Sequence, residues 1–190
     1  MFEKRHRVFI AINLPNDVKK SLSGFQQKFA DVPAKWTDTN NLHITLEFLG
    51  YITDQELADV CKITKEVAER HNSFSVNLNK VVYGPPNKMP PRMIWATGEK
   101  SKELSDLKND LQKSLLESVR FAPDEKSFAP HITLARISEW EFKKIEPEER
   151  PEVNEDVDFL FSAESIEVME SVSKRGGPQY TVLESHQLGN

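Results

Sequence analysis

The chain has 190 residues, of which 38% are hydrophobic and 29% are charged, and its formal net charge is −5. This composition is typical of one globular domain or of two lobes around a cleft, and a phosphate-bearing partner would have to meet a local basic patch. No apolar run approaches the roughly 20 residues of a bilayer-spanning helix, and the single Cys61 excludes an internal disulfide and a cysteine zinc cage.

The first 50 residues predict three strands and one helix. Residues 7–13 form an apolar run typical of a buried strand, and residues 35–37 predict a short second strand. Pro15 suits the first turn of a helix that we expect to reach about Ala30. The third strand covers residues 41–50. The apolar stripe of the helix, at spacings of four, three and four, is Val18, Leu22, Phe25 and Phe29.

The middle of the chain alternates helices with strands. Thr53 and Glu56 form a capping-box pattern, which predicts a helix that runs to about residue 71. Ser101 can cap a second helix with leucines at 104, 107, 111 and 115. Between these helices we expect a strand at 74–83, a proline-rich loop at 84–91 and a strand at 92–97.

The last third of the chain predicts mainly strands. In chain order we expect a loop at 121–129, a strand at 131–137, a short helix and an exposed acidic linker within 139–155, strands at 159–161 and 165–172, a turn at 174–178 and a strand at 180–183. Strands outnumber helices, and several neighbouring strands are joined by loops too short for a parallel crossover. The pattern therefore favours an α+β fold with antiparallel sheets.

A four-residue motif occurs twice, as His43-Ile44-Thr45-Leu46 and, 88 residues later, as His131-Ile132-Thr133-Leu134. Each copy ends a strand-helix-strand unit, at residues 7–50 and 92–137. Side chains alternate along a strand, so the histidine and threonine of each copy share one face. We therefore expect one domain over residues 1–190, in which two pseudo-symmetric lobes each present one His-x-Thr strand to a central cleft.

Two histidines and two hydroxyls around one anion suit phosphate chemistry. Because histidine titrates near pH 6.5, one imidazole can accept a proton while the other donates one. The hydroxyls of Thr45 and Thr133 can donate hydrogen bonds to charged oxygens. In-line displacement at phosphorus needs such an arrangement. No carboxylate cluster or phosphate-binding glycine loop lies near the motifs, so we expect no metal, ATP or other cofactor.

At this point the sequence resembles the two-histidine phosphoesterase superfamily, and within it the RNA 2′,3′-cyclic phosphodiesterases, long called 2′-5′ RNA ligases. The resemblance spans nearly the whole chain. It is carried by the opening segment 7–15, the two motif blocks 41–50 and 128–136, the middle strand 91–96 and, loosely, a Ser-to-Tyr ending from Ser171 to Tyr180.

The resemblance implies a V-shaped cleft between two lobes and hydrolysis of a terminal 2′,3′-cyclic phosphate to a 2′-phosphate. It implies that His43 is the proton donor and His131 the proton acceptor, and that Thr45 and Thr133 hold the non-bridging oxygens. Arg136 matches a family arginine that contacts phosphate. The expected partners are RNA 3′ ends or nucleoside cyclic phosphates, and the expected protein is a cytoplasmic monomer without a membrane partner.

Several further residues are open to two interpretations. Strict alternation puts Arg136 opposite the His131 face, so it needs a bulge to reach the cleft. Phe48, by the same alternation, joins the apolar face, yet it can also stack a base, as can Trp36 and Trp95. Arg92 is a further substrate-binding candidate within a basic rim that would include Lys4, Arg5 and Arg7, although solvated surface is the plainer interpretation of each.

Glu47 departs from the family pattern, in which a basic residue is commoner. Alternation places it on the His43 face, where it would weaken binding of an anionic strand or raise the pKa of His43.

Three alternatives to hydrolysis of RNA ends remain open. The same groups support hydrolysis or 2′-5′ ligation, depending on whether water or a ribose hydroxyl attacks, and they also suit 2′-5′ phosphodiester cleavage. A closed pocket would favour a small-molecule cyclic phosphodiesterase over a polynucleotide enzyme. A non-catalytic RNA-end or nucleotide-binding module would bind without turnover, but binding alone does not need an acid and a base.

Overall fold

The computed structural model describes residues 4–123 and 128–189, so residues 124–127 of the predicted loop at 121–129 lie outside the described residues. The strands are β1 (Arg5–Asn13), β2 (Ala34–Trp36), β3 (His43–Thr53), β4 (Phe74–Gly84), β5 (Met93–Gly98), β6 (His131–Ile137), β7 (Asn154–Ala163), β8 (Ser165–Lys174) and β9 (Gly177–Gln187). The helices are α1 (Asn16–Ser23), α2 (Phe25–Lys28), α3 (Asp54–Ala68), α4 (Lys102–Leu116) and α5 (Glu139–Lys143).

The strands form two open sheets in which every neighbouring pair is antiparallel. The first sheet has the order β3-β1-β8-β9, and the second has the order β2-β6-β5-β4-β7. The prediction of an α+β fold with two antiparallel lobes is therefore confirmed. One large hydrophobic cluster contains residues of both sheets and of α3 and α4, so the two lobes share a core.

The two long helices begin where their capping residues predict. The Glu56 amide donates to the Thr53 hydroxyl at 3.2 Å, and the Thr53 amide donates to the Glu56 carboxylate at 2.8 Å. The Ser101 hydroxyl accepts from the Leu104 amide at 3.1 Å. These bonds satisfy amides that have no partner within the helix. Both helices bury one face, and no helix among the described residues is long and apolar enough to span a membrane.

Four differences from the sequence prediction affect how the chain is arranged. The first helix is interrupted at Gly24, whose amide is shared between the carbonyls of Lys20 and Ser21 at 3.3 and 3.2 Å. β3 runs on to Thr53 through Gly50, which has a φ of 76°. The predicted acidic linker within 139–155 is shorter, because β7 already begins at Asn154 and pairs with β4.

The fourth difference concerns β2, which lies within the first strand-helix-strand unit of the sequence but joins the second sheet. It pairs with β6, and the Thr37 amide donates to the Leu134 carbonyl at 2.8 Å. In the same way β8 and β9, from the end of the chain, join β1 in the first sheet. Each lobe is therefore built from both halves of the chain, and β2 lies at the junction of the lobes.

Candidate active site

The two motif strands come together where the sheets approach each other. β3 forms one edge of the first sheet, and its residues contact β6 in the second sheet. Between them lies a cleft of about 950 Å³. His43, Thr45, His131 and Thr133 all line this cleft. The structure thus brings the two copies of the motif, 88 residues apart in sequence, to one opening.

Both motif strands carry a β-bulge at the same position, three residues after the histidine. Opposite β1 the pairing steps past Leu46, and opposite β5 it steps past Leu134. A bulge adds one residue and reverses the alternation of the side chains that follow. Phe48 and Arg136, each five residues after its histidine, are therefore exposed and line the cleft.

The bulge in β3 also corrects the placement of Glu47. Its side chain is 3% exposed and faces the interior, where the carboxylate pairs with the ammonium of Lys108 on α4. Lys108 also donates to the Gln112 side chain at 3.0 Å. The expectation that Glu47 shares the His43 face is wrong, because strict alternation ignores the inserted residue. Its charge is neutralised inside the protein rather than presented to the cleft.

The ring of His43 is held on three sides. Its Nδ1–H donates to the Asn41 carbonyl at 2.6 Å, which leaves Nε2 facing the Thr45 hydroxyl at 3.0 Å. The rings of Phe9 and Tyr180 pack against the imidazole at centroid distances of 4.9 and 5.2 Å. The backbone bond fixes the orientation of the ring and keeps Nε2 available for proton transfer.

Burial lowers the pKa of His43 below its ordinary 6.5, and the charges of Lys19 and His131 lower it further, although the Asn41 carbonyl acts in the opposite direction. The expectation that an acidic neighbour raises this pKa is therefore wrong as well.

The ring of His131 has an equivalent set of contacts. Its Nδ1–H donates to the Ala129 carbonyl at 3.0 Å, and Trp95 packs against it with a centroid distance of 4.2 Å. The Met93 sulfur accepts weak contacts from Trp95 Nε1 at 3.4 Å and from the Thr133 hydroxyl at 3.9 Å. Each histidine therefore donates to the carbonyl two residues before it and rests on an aromatic side chain.

The remaining predicted residues divide into two groups. Arg7 and Trp36 line the cleft with Phe48 and Arg136, and the Arg7 guanidinium lies 5.0 Å from the centre of the Phe48 ring. Arg92 does not line the cleft, because its guanidinium pairs with Glu139 at 2.9 Å. Trp95 supports His131 from behind, and Lys4 and Arg5 lie outside the lining.

Three parts of the cleft were not identified from the sequence. Lys35 on β2 lines it, and so do the turn between β8 and β9 and the segment before His43, through Thr37, Asp38, Thr39 and Asn41. The Asn41 side chain donates to the Pro178 carbonyl at 2.8 Å, which ties that turn to the loop before His43. Only the loose Ser171-to-Tyr180 pattern pointed to this turn. Nothing in the sequence indicated that β2 would cross to the opposite lobe.

The arrangement offers two imidazole nitrogens, two hydroxyls and at least three cations to one ligand. Such a set can transfer protons on opposite sides of a phosphate and donate hydrogen bonds to its oxygens. Among residues 4–123 and 128–189 no group of three His, Cys, Asp or Glu side chains is placed to hold a metal ion.

Comparison with known proteins gives a consistent result. Residues 12–95 match the model of the family described as LigT like Phosphoesterase. The chain is 30% identical over 182 residues to a Thermotoga maritima protein named RNA 2′,3′-cyclic phosphodiesterase, covering 93% of this chain and 92% of that relative.

Solved structures agree in fold. A crystal structure of a Thermus thermophilus protein has a TM-score of 0.82 and 31% identity, and covers 97% of this chain and 99% of that chain. Escherichia coli LigT complexed with 3′-AMP has a TM-score of 0.78, with coverage of 98% and 100%. At 23% identity this second likeness bears on the fold alone.

Proposed function

Because the chain belongs to the LigT-like phosphoesterase family, we propose that it hydrolyses the 2′,3′-cyclic phosphate at an RNA end, or on a nucleoside, to a 2′-phosphate without a metal ion. The name of the Thermotoga maritima relative, RNA 2′,3′-cyclic phosphodiesterase, supports this substrate.

In the proposed reaction, water attacks phosphorus on the side opposite the 3′-oxygen. A new P–O bond forms, and the bond between phosphorus and the 3′-oxygen breaks with its electron pair on that oxygen. Nε2 of His131 accepts the proton that water loses, while Nε2–H of His43 gives a proton to the departing 3′-oxygen. The products are a 2′-phosphate and a 3′-hydroxyl, and proton exchange with solvent restores both imidazoles.

The hydroxyls of Thr45 and Thr133 donate to the non-bridging oxygens as negative charge grows on them. Thr45 faces Nε2 of His43 in the free protein, so substrate binding exchanges this contact for one with phosphate. Since the pKa of His43 is lowered, its ring is mostly neutral in the free protein at neutral pH. The negative charge of the bound phosphate favours protonation of the His43 ring, so substrate binding itself produces the protonated form that acts as the general acid.

The observation that carries the proposal is the convergence of both His-x-Thr pairs on one cleft, with a backbone carbonyl at each Nδ1. A module that only binds RNA ends has no use for two imidazoles whose Nδ1 atoms are both held by backbone carbonyls, so that Nε2 is the nitrogen that exchanges protons. An acid–base pair requires one protonated and one neutral imidazole, each in a fixed orientation.

The test offers a nucleoside 2′,3′-cyclic phosphate to the protein in the presence of a chelator and identifies the product isomer. We expect only the 2′-phosphate. His43→Ala and His131→Ala should each lower kcat by at least about 10²-fold, equivalent to about 2.7 kcal/mol of barrier. The pH profile of the wild-type protein should be bell-shaped between about pH 5 and 9, with one limb for each histidine.

His186→Gln is the matched control, since this histidine lies on β9 outside the cleft lining. It should keep the wild-type rate. A 3′-phosphate product, complete loss of turnover with chelator, or equal rates in the wild type and the two alanine variants would each contradict the proposal. Binding of the cyclic phosphate without any turnover would identify a non-catalytic module instead.

A further inference from the structure

The cleft holds cations that lack acidic partners. Arg7, Lys35 and Arg136 line it, and Asp38 is the one carboxylate among the described lining residues. The Asp38 carboxylate accepts a hydrogen bond from the backbone amide of Asn40 at 2.9 Å. Within residues 4–123 and 128–189, none of the three cations takes part in a salt bridge. In a chain of net charge −5, carboxylates are plentiful, so this lack of pairing marks an anion site.

Two of these cations lie directly opposite each other. In the ladder between β2 and β6 the Cα partner of Lys35 is Arg136. Directly opposed side chains share a face, with Cβ atoms about 4.5–5.5 Å apart, and like charges in that position are destabilising. Both side chains are exposed, and both line the cleft. The repulsion is relieved when an anion binds between them.

The position of this pair relative to the motif is set by β6. Arg136 follows Thr133 by three residues with the bulge at Leu134 between them, which is less than the roughly 10 Å of regular extended strand. The Lys35 ammonium extends toward Gly177 in the turn between β8 and β9. A ligand phosphate held by this ammonium therefore lies beside the reacting phosphate, which the motif residues hold.

The volume of the cleft and the position of Lys35 agree with the binding of a second phosphate group. Small-ligand sites span roughly 300–1,000 Å³, so a cleft of about 950 Å³ is large for one nucleoside cyclic phosphate. Lys35 approaches the turn between β8 and β9: a Cβ atom built on Gly177 would lie 3.3 Å from the lysine Nζ. Lys35 thus lies between β6 of one lobe and the β8–β9 turn of the other.

We infer that Lys35 and Arg136 form a second phosphate subsite, which binds the phosphodiester that precedes the terminal nucleotide. This inference rests on the proposed function and narrows its substrate to an oligonucleotide end in preference to a free nucleoside cyclic phosphate. The plainer interpretation is that Lys35 protects an edge strand from pairing with other chains. That role predicts no dependence of catalysis on the charge of the upstream linkage.

The test compares two dinucleotides that end in a 2′,3′-cyclic phosphate. One has the ordinary phosphodiester linkage, and the other has an uncharged methylphosphonate linkage. For the wild type we expect kcat/KM to be about tenfold higher with the charged linkage, the value of one charge-assisted hydrogen bond. Lys35→Met should reduce this ratio to below about threefold, because one of the two cations is removed.

Lys65→Met is the matched control, because Lys65 is exposed on α3 and does not line the cleft. It should keep the wild-type ratio. A wild-type ratio near one, or an unchanged ratio in Lys35→Met, would overturn the subsite while leaving the proposed function intact. No turnover of either dinucleotide would remove the proposed function and this inference together. Lys35→Gln also removes the positive charge but keeps a polar side chain. It should lower the ratio as Lys35→Met does, which separates the loss of charge from an effect of methionine packing.

Discussion

Gly84 tests how firmly the His131 ring is held. This residue ends β4 directly beneath the indole of Trp95, and a Cβ atom at position 84 would lie 2.3 Å from Cδ2 and 2.5 Å from Cε3 of that ring. Carbon atoms make optimal contact at about 3.5–4.0 Å, so Gly84→Ala requires the indole to move by roughly 1.2 Å. Trp95 in turn packs against His131 at 4.2 Å between ring centroids.

We expect Gly84→Ala to lower kcat/KM by about 10–100-fold, because a displacement near 1 Å of a reacting group can cost about 10²-fold. Overpacking of this kind also costs about 1–3 kcal/mol of unfolding free energy. The rate is measured by hydrolysis of a nucleoside 2′,3′-cyclic phosphate, at a temperature where urea unfolding shows the variant to be folded. Adding Trp95→Phe, which shortens the ring system above the new methyl group, should restore stability in part.

Gly24→Ala is the control for the same chemical change elsewhere. Gly24 has helical dihedral angles of −61° and −24° and does not line the cleft. A Cβ atom at this position would lie 3.2 Å from the Ser21 carbonyl oxygen, so alanine should change the free energy of unfolding by no more than about 1 kcal/mol in either direction, with no change in rate. Wild-type activity and stability in Gly84→Ala would refute the view that Gly84 and Trp95 together position His131.

Two further predictions concern groups outside the cleft. The imidazole of buried His6 lies 2.6 Å from the Glu170 carboxylate and 2.8 Å from the Asp54 carboxylate, and both carboxylates raise its pKa. The protonated ring therefore contributes fully to the free energy of unfolding below pH 6.5, and this contribution is lost as the pH rises through the raised pKa. His6→Gln should therefore cost about 1–3 kcal/mol in urea unfolding at pH 6 and clearly less at pH 9; equal costs at both pH values would contradict the ion pair. Glu47→Ala should cost about 3–5 kcal/mol in urea unfolding because it leaves the Lys108 charge buried alone, and an additional Lys108→Met should recover most of this loss, whereas additive losses would refute the pairing.

The fold class was predictable because local signals agreed with one another. The capping pair Thr53 and Glu56 and the cap Ser101 begin the two long helices where the sequence predicts them. The repeated His-x-Thr motif identified the strands that face the cleft, because a strand has only two faces and one of them must be apolar. These signals depend on neighbours within a few residues, which a sequence displays directly.

The bulges in β3 and β6 were not predictable, although the sequence showed that Arg136 needed one to reach the cleft. A bulge arises from the register between two strands distant in sequence, so strict alternation put Glu47 and Phe48 on the wrong faces. The same limit explains Lys35. The short strand β2 carries too little pattern to reveal which sheet it joins, and its partner β6 lies far away along the chain.

The most direct measurement is a crystal structure of the protein with a nucleoside 2′-phosphate, the expected product, bound in the cleft. Phosphate oxygens should lie within about 3.2 Å of Nε2 of both His43 and His131 and of the hydroxyls of Thr45 and Thr133. A phosphate held by residues of one sheet only, with the second imidazole beyond hydrogen-bonding reach, would contradict acid–base catalysis by the two histidines.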